Sequence, residues 1–156
     1  MTTKALATSR LSKAFRWLLP MLFGFCLLVH DALAADKVDI QVIVHSSVNV
    51  EQLEREFVAA SFLKKVTRWE NGATIFPVDL HSRSEVRAVF SNRVLQRSVA
   101  AVRNYWQQRI FSGRDVPPPE LDSEAAVVRY VKDHPGAIGY VSSDLALNGV
   151  RVVRIH

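Results

Sequence analysis

The stretch HSRSEVR, residues 81–87, places two serines and two arginines at the predicted start of a helix. Ser82 or Ser84 can act as the N-cap of this helix. Free backbone N–H groups and the positive end of a helix favour an anion, and arginine can add a bidentate charged contact. Glu85 in the first turn suits the helix dipole but would repel a bound anion. The stretch is therefore either an anion site or an ordinary capped helix start with solvated arginines.

Other arrangements of reactive side chains are not indicated by the sequence. The histidines have no metal-ligand spacing such as H-x-x-x-H, and the pattern favours surface or loop positions for His45, His81, His134 and His156. No Ser-His-Asp order, nucleophile elbow, P-loop or carboxylate pair stands out. The sequence therefore predicts a protein that is not an enzyme and that uses no metal and no cofactor.

The N-terminal residues have the pattern of a secretory signal. A basic leader precedes the apolar run 17–29, and the small residues Ala32 and Ala34 fit a signal peptidase site. We expect a signal peptide over 1–34, cleavage before Ala35, and export across the inner membrane to the periplasm. The alternative is an uncleaved membrane anchor, although the apolar run is short for a membrane span.

Removal of this segment changes the charge and cysteine arguments. The remaining residues, 35–156, hold 16 basic and 14 acidic side chains, a net charge of +2 instead of +5. A basic balance therefore no longer argues for nucleic-acid binding. The only cysteine, Cys26, lies within the predicted signal, so neither a disulfide nor thiol chemistry is expected. A chain of 122 residues suits one domain with a modest core.

Strand and helix patterns alternate along these residues, which predicts an α/β fold. The alternating, β-branched stretch 38–47 indicates a central strand. Further strands are predicted at 74–80, where Pro77 favours a sheet edge, at AIGYVS and at 150–155. Helices are predicted from caps at Asn49, Ser82 or Ser84, Ser98, and Asp122 or Ser123. The Pro-rich segment 112–122 is expected to be a loop without regular structure.

The order of these motifs resembles the phosphate-binding proteins of ABC transporters and their relatives in the type II periplasmic binding fold. Family members carry a Val-rich strand, a helix and an F-L-G-K-x-T-x-W turn. This sequence matches the turn with Phe62, Leu63, Lys65, Thr67 and Trp69. Further along it has a helix pair containing Trp106, and then PGAIGYV at 135–141, the family's last motif. The resemblance covers nearly all of residues 35–156.

The resemblance implies a periplasmic solute-binding domain in which a central sheet is flanked by helices. The family has two lobes that close over the ligand, whereas this sequence matches only one lobe. Half of the usual ligand shell must therefore be absent or come from another chain. Phosphate or another oxyanion is the implied ligand, and a membrane transporter or sensor protein is the implied partner.

The resemblance also implies a ligand site at Ser82, Arg83, Ser84 and Arg87. Family members bind phosphate with a Ser-Gly-Thr run at a helix N-terminus and an arginine four residues before the serine. Here Ser84 takes the serine position, Glu85 and Val86 replace Gly-Thr, and Leu80 stands in place of the arginine. These departures leave two hypotheses. One is weak oxyanion binding, favoured by Arg83 and Arg87. The other is a ligand-free interaction module, favoured by Glu85 and Leu80.

Overall fold

The computed structural model describes residues 38–156, and the predicted signal peptide, 1–34, lies outside the described residues. Strands and helices alternate along this part of the chain, which confirms the predicted α/β class. The strands are β1 (Ile40–His45), β2 (Gln52–Leu53), β3 (Phe76–Pro77), β4 (Asp79–Leu80), β5 (Glu120–Leu121), β6 (Ala137–Ser142) and β7 (Val150–Ile155). The helices are α1 (Arg55–Phe62), α2 (Glu85–Arg93), α3 (Val99–Phe111) and α4 (Glu124–Asp133).

Five strands form one mixed sheet in the order β2-β7-β1-β6-β3. β1 lies in the middle and pairs antiparallel with both β6 and β7, which confirms the predicted central strand. β3 pairs parallel with β6 at the sheet edge. The edge position fits Pro77, because proline cannot donate a hydrogen bond to a second neighbouring strand.

Helices cover both faces of this sheet. Successive residues of a strand point to opposite faces. Gly139 of β6 faces Val127 and Val131 of α4. The next residue, Tyr140, stacks on Phe90 of α2 with ring centroids 3.7 Å apart and also lies against the ring of Phe62, the last residue of α1. The core therefore continues through the sheet, with α4 on one side and α1 and α2 on the other.

The first helix begins later than the sequence pattern predicts. Asn49 does not cap it; the N-cap is Glu54, and its side chain makes no capping hydrogen bond. Residues 51–53 instead pair with β7, where Arg154 donates a backbone hydrogen bond to Glu51. The capping box at Asn49 was misleading because pairing with a strand distant in sequence satisfies the backbone groups that a helix would otherwise use.

Residues 74–80 also differ from the prediction of one continuous strand. Pro77 ends β3, and the chain then joins a second, two-stranded sheet in which β4 pairs parallel with β5. β5 lies in the Pro-rich segment that was predicted to be without regular structure. Asp79 donates its backbone N–H to Pro119, which supplies a carbonyl although it has no N–H to donate. This small sheet holds the chain in place just before residues 81–84.

Several local predictions are confirmed. Ser98 and Ser123 cap α3 and α4 by accepting from the backbone N–H three residues ahead. Helix α4 ends at Asp133, before Pro135 and Gly136. The sequence also predicts that Trp69, in the turn after the first helix, and Trp106, on a helix stripe, are buried, and both are. The spacing of Val99, Val102, Trp106 and Ile110 in the sequence predicts one apolar stripe on α3. Ile110 departs from this prediction, because its side chain is 49% exposed.

Close packing against α4 explains why the interior of β6 carries a glycine at position 139. A Cβ atom at this position would lie 2.7 Å from Val127 Cγ1 and 3.0 Å from Val131 Cγ2. We therefore expect Gly139→Ala to lower the free energy of unfolding by about 1–3 kcal/mol, the usual cost of overpacking a core. Urea denaturation measures this loss. The second substitution Val127→Ala should remove part of the clash, so the double variant should lose less than the two single losses combined. Additive losses would contradict the proposed contact with α4.

Candidate functional site

Residues 81–84 connect β4 to α2 and lie beyond the carboxyl-terminal side of β3. β3 runs parallel with β6 and the chain continues in that direction, since Val78 donates its backbone N–H to Ile138. Two hydrogen bonds to His81 shape the connection. Ser84 donates its N–H to the His81 carbonyl over 2.9 Å, and Arg83 donates its N–H to His81 Nδ1 over 3.2 Å. Residues 81–84 therefore form a tight turn that leads directly into α2.

Ser84, and not Ser82, caps α2. Its backbone is extended, and its Oγ accepts from the backbone N–H of Arg87 over 3.3 Å. Among the described residues, the backbone N–H groups of Glu85 and Val86 make no hydrogen bond. These two N–H groups at the positive end of a nine-residue helix are the ones that an anion from solvent could use.

The side chains around this helix start are either exposed or, in the case of Arg87, buried. Ser82, Arg83 and Glu85 are exposed, so the charges of Arg83 and Glu85 are screened by solvent. The positive charge of Arg83 and the negative charge of Glu85 oppose each other in their effect on an anion. Local attraction therefore comes mainly from the backbone N–H groups and the helix dipole.

Arg87 lies in the interior, with a side chain only 3% exposed. Its Nη1 pairs with the carboxylate of Asp79, which is equally buried. The other oxygen of that carboxylate accepts hydrogen bonds from the Tyr140 hydroxyl and, over 3.0 Å, from the Leu80 N–H. The buried ion pair thus joins α2 to β4, and the phenol of β6 completes it. The guanidinium of Arg87 is directed at Asp79, while its backbone N–H belongs to the cap.

The ionisation of this group follows from its burial. Burial lowers the pKa of the Arg87 guanidinium, and the nearby Tyr140 and Glu120 oppose that shift. The guanidinium remains charged because the ordinary pKa of arginine lies far above neutrality. Burial raises the pKa of the Tyr140 phenol, which therefore keeps its proton and can donate to Asp79. The group is a charged pair held by neutral donors.

Sequence reasoning missed Asp79 and Tyr140 as partners of Arg87. A signal was present, since PVDL places one carboxylate in an otherwise apolar strand. A charge in such a position is rarely buried without a partner. The sequence could not show which arginine would supply that partner.

Residues 38–156 contain neither a cluster of metal ligands nor a membrane-spanning helix. Within this range, no three histidine, cysteine, aspartate or glutamate side chains come together as potential metal ligands. No helix in the same range has both the length and the apolar character needed to cross a membrane.

The fold is similar to half of several solved phosphate-transport proteins. An ABC-type phosphate transport receptor from Vibrio cholerae superimposes with a TM-score of 0.60 at 16% identity, over 76% of this chain and 46% of that chain. A protein described as a phosphate ABC transporter substrate-binding protein with bound phosphate, from Clostridium perfringens, gives 0.60 at 20% identity, over 76% and 45%. PstS from Borrelia burgdorferi gives 0.59 at 13% identity, over 76% and 47%.

These similarities define the fold of the described domain. It is one lobe of the periplasmic-binding-protein type, as expected from the sequence, and it spans less than half the length of these three proteins. No protein-family model matches the chain, and no curated protein matches it either.

Proposed function

We propose that residues 35–156 form a periplasmic solute-binding domain that binds phosphate or a similar oxyanion weakly and serves an ABC transport system. Residues 1–34 act as its cleaved signal peptide. The observation that carries the proposal is the start of α2, where the N–H groups of Glu85 and Val86 are left without partners next to the exposed Arg83. The proteins of similar fold are named for phosphate transport, and one of them holds phosphate.

The residues of the site have different roles in this proposal. Ser82, Arg83 and Ser84 contact the anion together with the two backbone N–H groups. Arg87 holds α2 against β4, because its guanidinium is already neutralised by Asp79. A second protein, such as the membrane transporter or sensor, covers the open side of the anion.

The proposed site is weak for physical reasons. A single lobe leaves the anion in contact with water, so solvent and salt screen every charge around it. In the isolated domain, without the second protein, no second set of donors closes over the ligand. We therefore expect a dissociation constant on the order of 0.1 mM or weaker, about 5.5 kcal/mol or less of binding free energy.

Titration calorimetry with phosphate, on protein purified after expression of the full chain, tests the proposal. Glu85→Gln should tighten binding severalfold, because it removes a like charge beside the anion. Arg83→Ala should weaken binding severalfold, and added salt should weaken it further. Arg103→Ala is the matched control, since Arg103 is an exposed arginine on α3, and it should leave binding unchanged. Absence of heat up to about 10 mM phosphate, equivalent to roughly 2.7 kcal/mol, would contradict the proposal.

The second candidate function is a ligand-free interaction module. The observation that favours it is the apolar surface at the end of α3 and in the segment after it. Phe111 is 89% exposed, and Ile110 and Val116 are also exposed. Contiguous exposed apolar surface marks protein-interaction sites, and three such side chains lie within seven residues of one another in the sequence. The same phosphate titration separates the two candidates, because this one predicts no saturable binding.

A further inference from the structure

A cavity of about 540 Å³ lies away from the start of α2. It is formed by the segment between β1 and α1, the first turn of α1, the turn at 69–71 and His156. Its volume falls within the range of small-molecule sites. Nothing in the proposed oxyanion function uses this cavity.

The cavity and residues 81–84 are at opposite ends of the central sheet. The segment that forms the cavity follows the carboxyl end of β1, beside the first residues of β6, because Val44 pairs with Ile138. The chain that leads to residues 81–84 runs parallel with β6 towards its last residues. A ligand in the cavity would therefore be separate from an anion at α2.

Aromatic and aliphatic side chains form the apolar part of the cavity. The rings of Phe57 and Trp69 both line it, with centroids 5.7 Å apart and planes tilted by 37°. The Trp69 ring is fixed, since its Nε1 donates to the Gly136 carbonyl over 2.9 Å. Val50 and Leu53 add aliphatic surface. This lining suits an apolar body about the size of one ring.

Carboxylates supply the charge of the cavity. Glu51, Glu54 and Glu70 are exposed and line it, and no lysine or arginine is among the described residues that do so. The basic neighbours in sequence are engaged elsewhere. Arg55 pairs with Glu56, and Arg68 donates to the Gly72 carbonyl over 2.9 Å. Glu54 is already engaged, since its Oε1 lies 2.7 Å from Nε2 of His156, which also lines the cavity. The cavity therefore combines apolar walls with two carboxylates, Glu51 and Glu70, that have no ion-pair partner among residues 38–156.

We propose that this cavity binds a small organic cation, a primary amine carried on an aromatic or aliphatic body. The apolar body lies against Phe57, Leu53 and the accessible part of Trp69. The ammonium group lies next to the carboxylates of Glu51 and Glu70. The face of an aromatic ring attracts a cation, so the lining and the charge act together. An anion of the same shape is repelled, and a neutral molecule gains only the apolar contacts.

The probe is 2-phenylethylamine, with 2-phenylethanol and 3-phenylpropionate as neutral and anionic molecules of similar shape. Each is titrated at pH 7.5 into protein purified after expression of the full chain, followed by amide chemical shifts. We expect the amine to shift the signals of residues 48–54 and 69–71, with a dissociation constant of about 0.1–1 mM for a ligand of this size. The alcohol should bind at least about tenfold more weakly, since it lacks the charge, and the carboxylate should not bind.

Variants distinguish binding of the amine in this cavity from its general attraction to a negatively charged surface. Glu51→Gln combined with Glu70→Gln should weaken amine binding about fivefold or more without unfolding the protein, because both side chains are exposed. Asp144→Asn, in the exposed segment after β6, removes one carboxylate elsewhere and should leave binding unchanged. Equal affinity for the amine and the alcohol, shifts outside the cavity, or no saturable shift up to about 10 mM would overturn the proposal. None of these results bears on phosphate binding at α2, which is measured separately.

Discussion

Replacing Arg87 with methionine should lower the free energy of unfolding by about 3–5 kcal/mol, because it leaves the buried Asp79 carboxylate without its counter-charge. Both side chains of the pair are at most 5% exposed, so water cannot take the place of the lost partner. Asp79→Asn should cost a similar amount by leaving the guanidinium unpaired. Urea denaturation followed by circular dichroism gives the difference in unfolding free energy.

Another arginine of helix α2 provides the control substitution. Arg93, two turns further along, pairs with Asp39 over 2.7 Å, but this pair is largely exposed. Exposed ion pairs contribute about 1 kcal/mol or less, so Arg93→Met should have a small effect. Equal losses for Arg87→Met and Arg93→Met would show that burial of the Arg87 pair has no energetic consequence.

The double variant Asp79→Leu with Arg87→Met distinguishes the cost of leaving one charge unpaired from the cost of losing the hydrogen bonds to Asp79. It removes both charges, so no uncompensated charge stays in the core, and it should recover a large part of the stability lost by either single variant. Recovery would show that the single losses come mostly from stranding one charge. Failure to recover would indicate that the hydrogen bonds from Tyr140 and Leu80 to Asp79 are essential to the junction between β4 and β6.

The elements that the sequence predicts well are those set by neighbouring residues. Ser98 and Ser123 cap helices because a serine hydroxyl can reach an N–H three residues ahead. Pro135 and Gly136 follow the end of α4 because neither continues a helix, and Gly136 adopts a φ of 85°. The strand periodicity of β1 and β6 is also local, and both strands are in the structure.

The features that the sequence did not predict depend on pairing between distant segments. Strands β2 and β5 have two residues each, too short for any periodicity. They form because β7 and β4 provide partners for them. The pattern at 74–80 does predict a strand, but it does not show that the chain leaves the central sheet after Pro77 and pairs with β5. The same limit applies to the candidate site. Arg83 and Arg87 look alike in the sequence, yet one is exposed and the other is buried against Asp79.

This difference between Arg83 and Arg87 reduces the positive charge that residues 81–87 can offer for binding an oxyanion. With the guanidinium of Arg87 neutralised, the exposed Arg83 is the remaining arginine of the stretch, and the charge of Glu85 opposes it. In the oxyanion site that we propose, the arrangement of charges is therefore a second reason, besides the single lobe, to expect weak affinity. A partner that covers residues 81–84 could raise the affinity by excluding water, because charges attract more strongly where water is excluded.

The last large effect concerns the attachment of α3. This helix has thirteen residues, yet only Val102 and Trp106 among them are buried. Trp106 is 5% exposed and lies edge-on against Tyr105, with ring centroids 5.1 Å apart. Val102 and Trp106 therefore provide the fully buried apolar surface of α3, and the partly buried Tyr105 also packs against the core. Trp106 is the larger of the two buried side chains.

We expect Trp106→Ala to lower the free energy of unfolding by about 3–5 kcal/mol, the usual cost of truncating a buried aromatic ring to alanine. Trp106→Phe keeps an aromatic ring and should cost less. Gln107→Ala is the control on the same helix, since Gln107 is exposed and its loss should stay within about 0.5 kcal/mol. Hydrogen exchange gives a second measurement, because Trp106→Ala should lower amide protection in α3 more than in β1 and β6. An unchanged melting temperature for Trp106→Ala would show that α3 is held by other contacts.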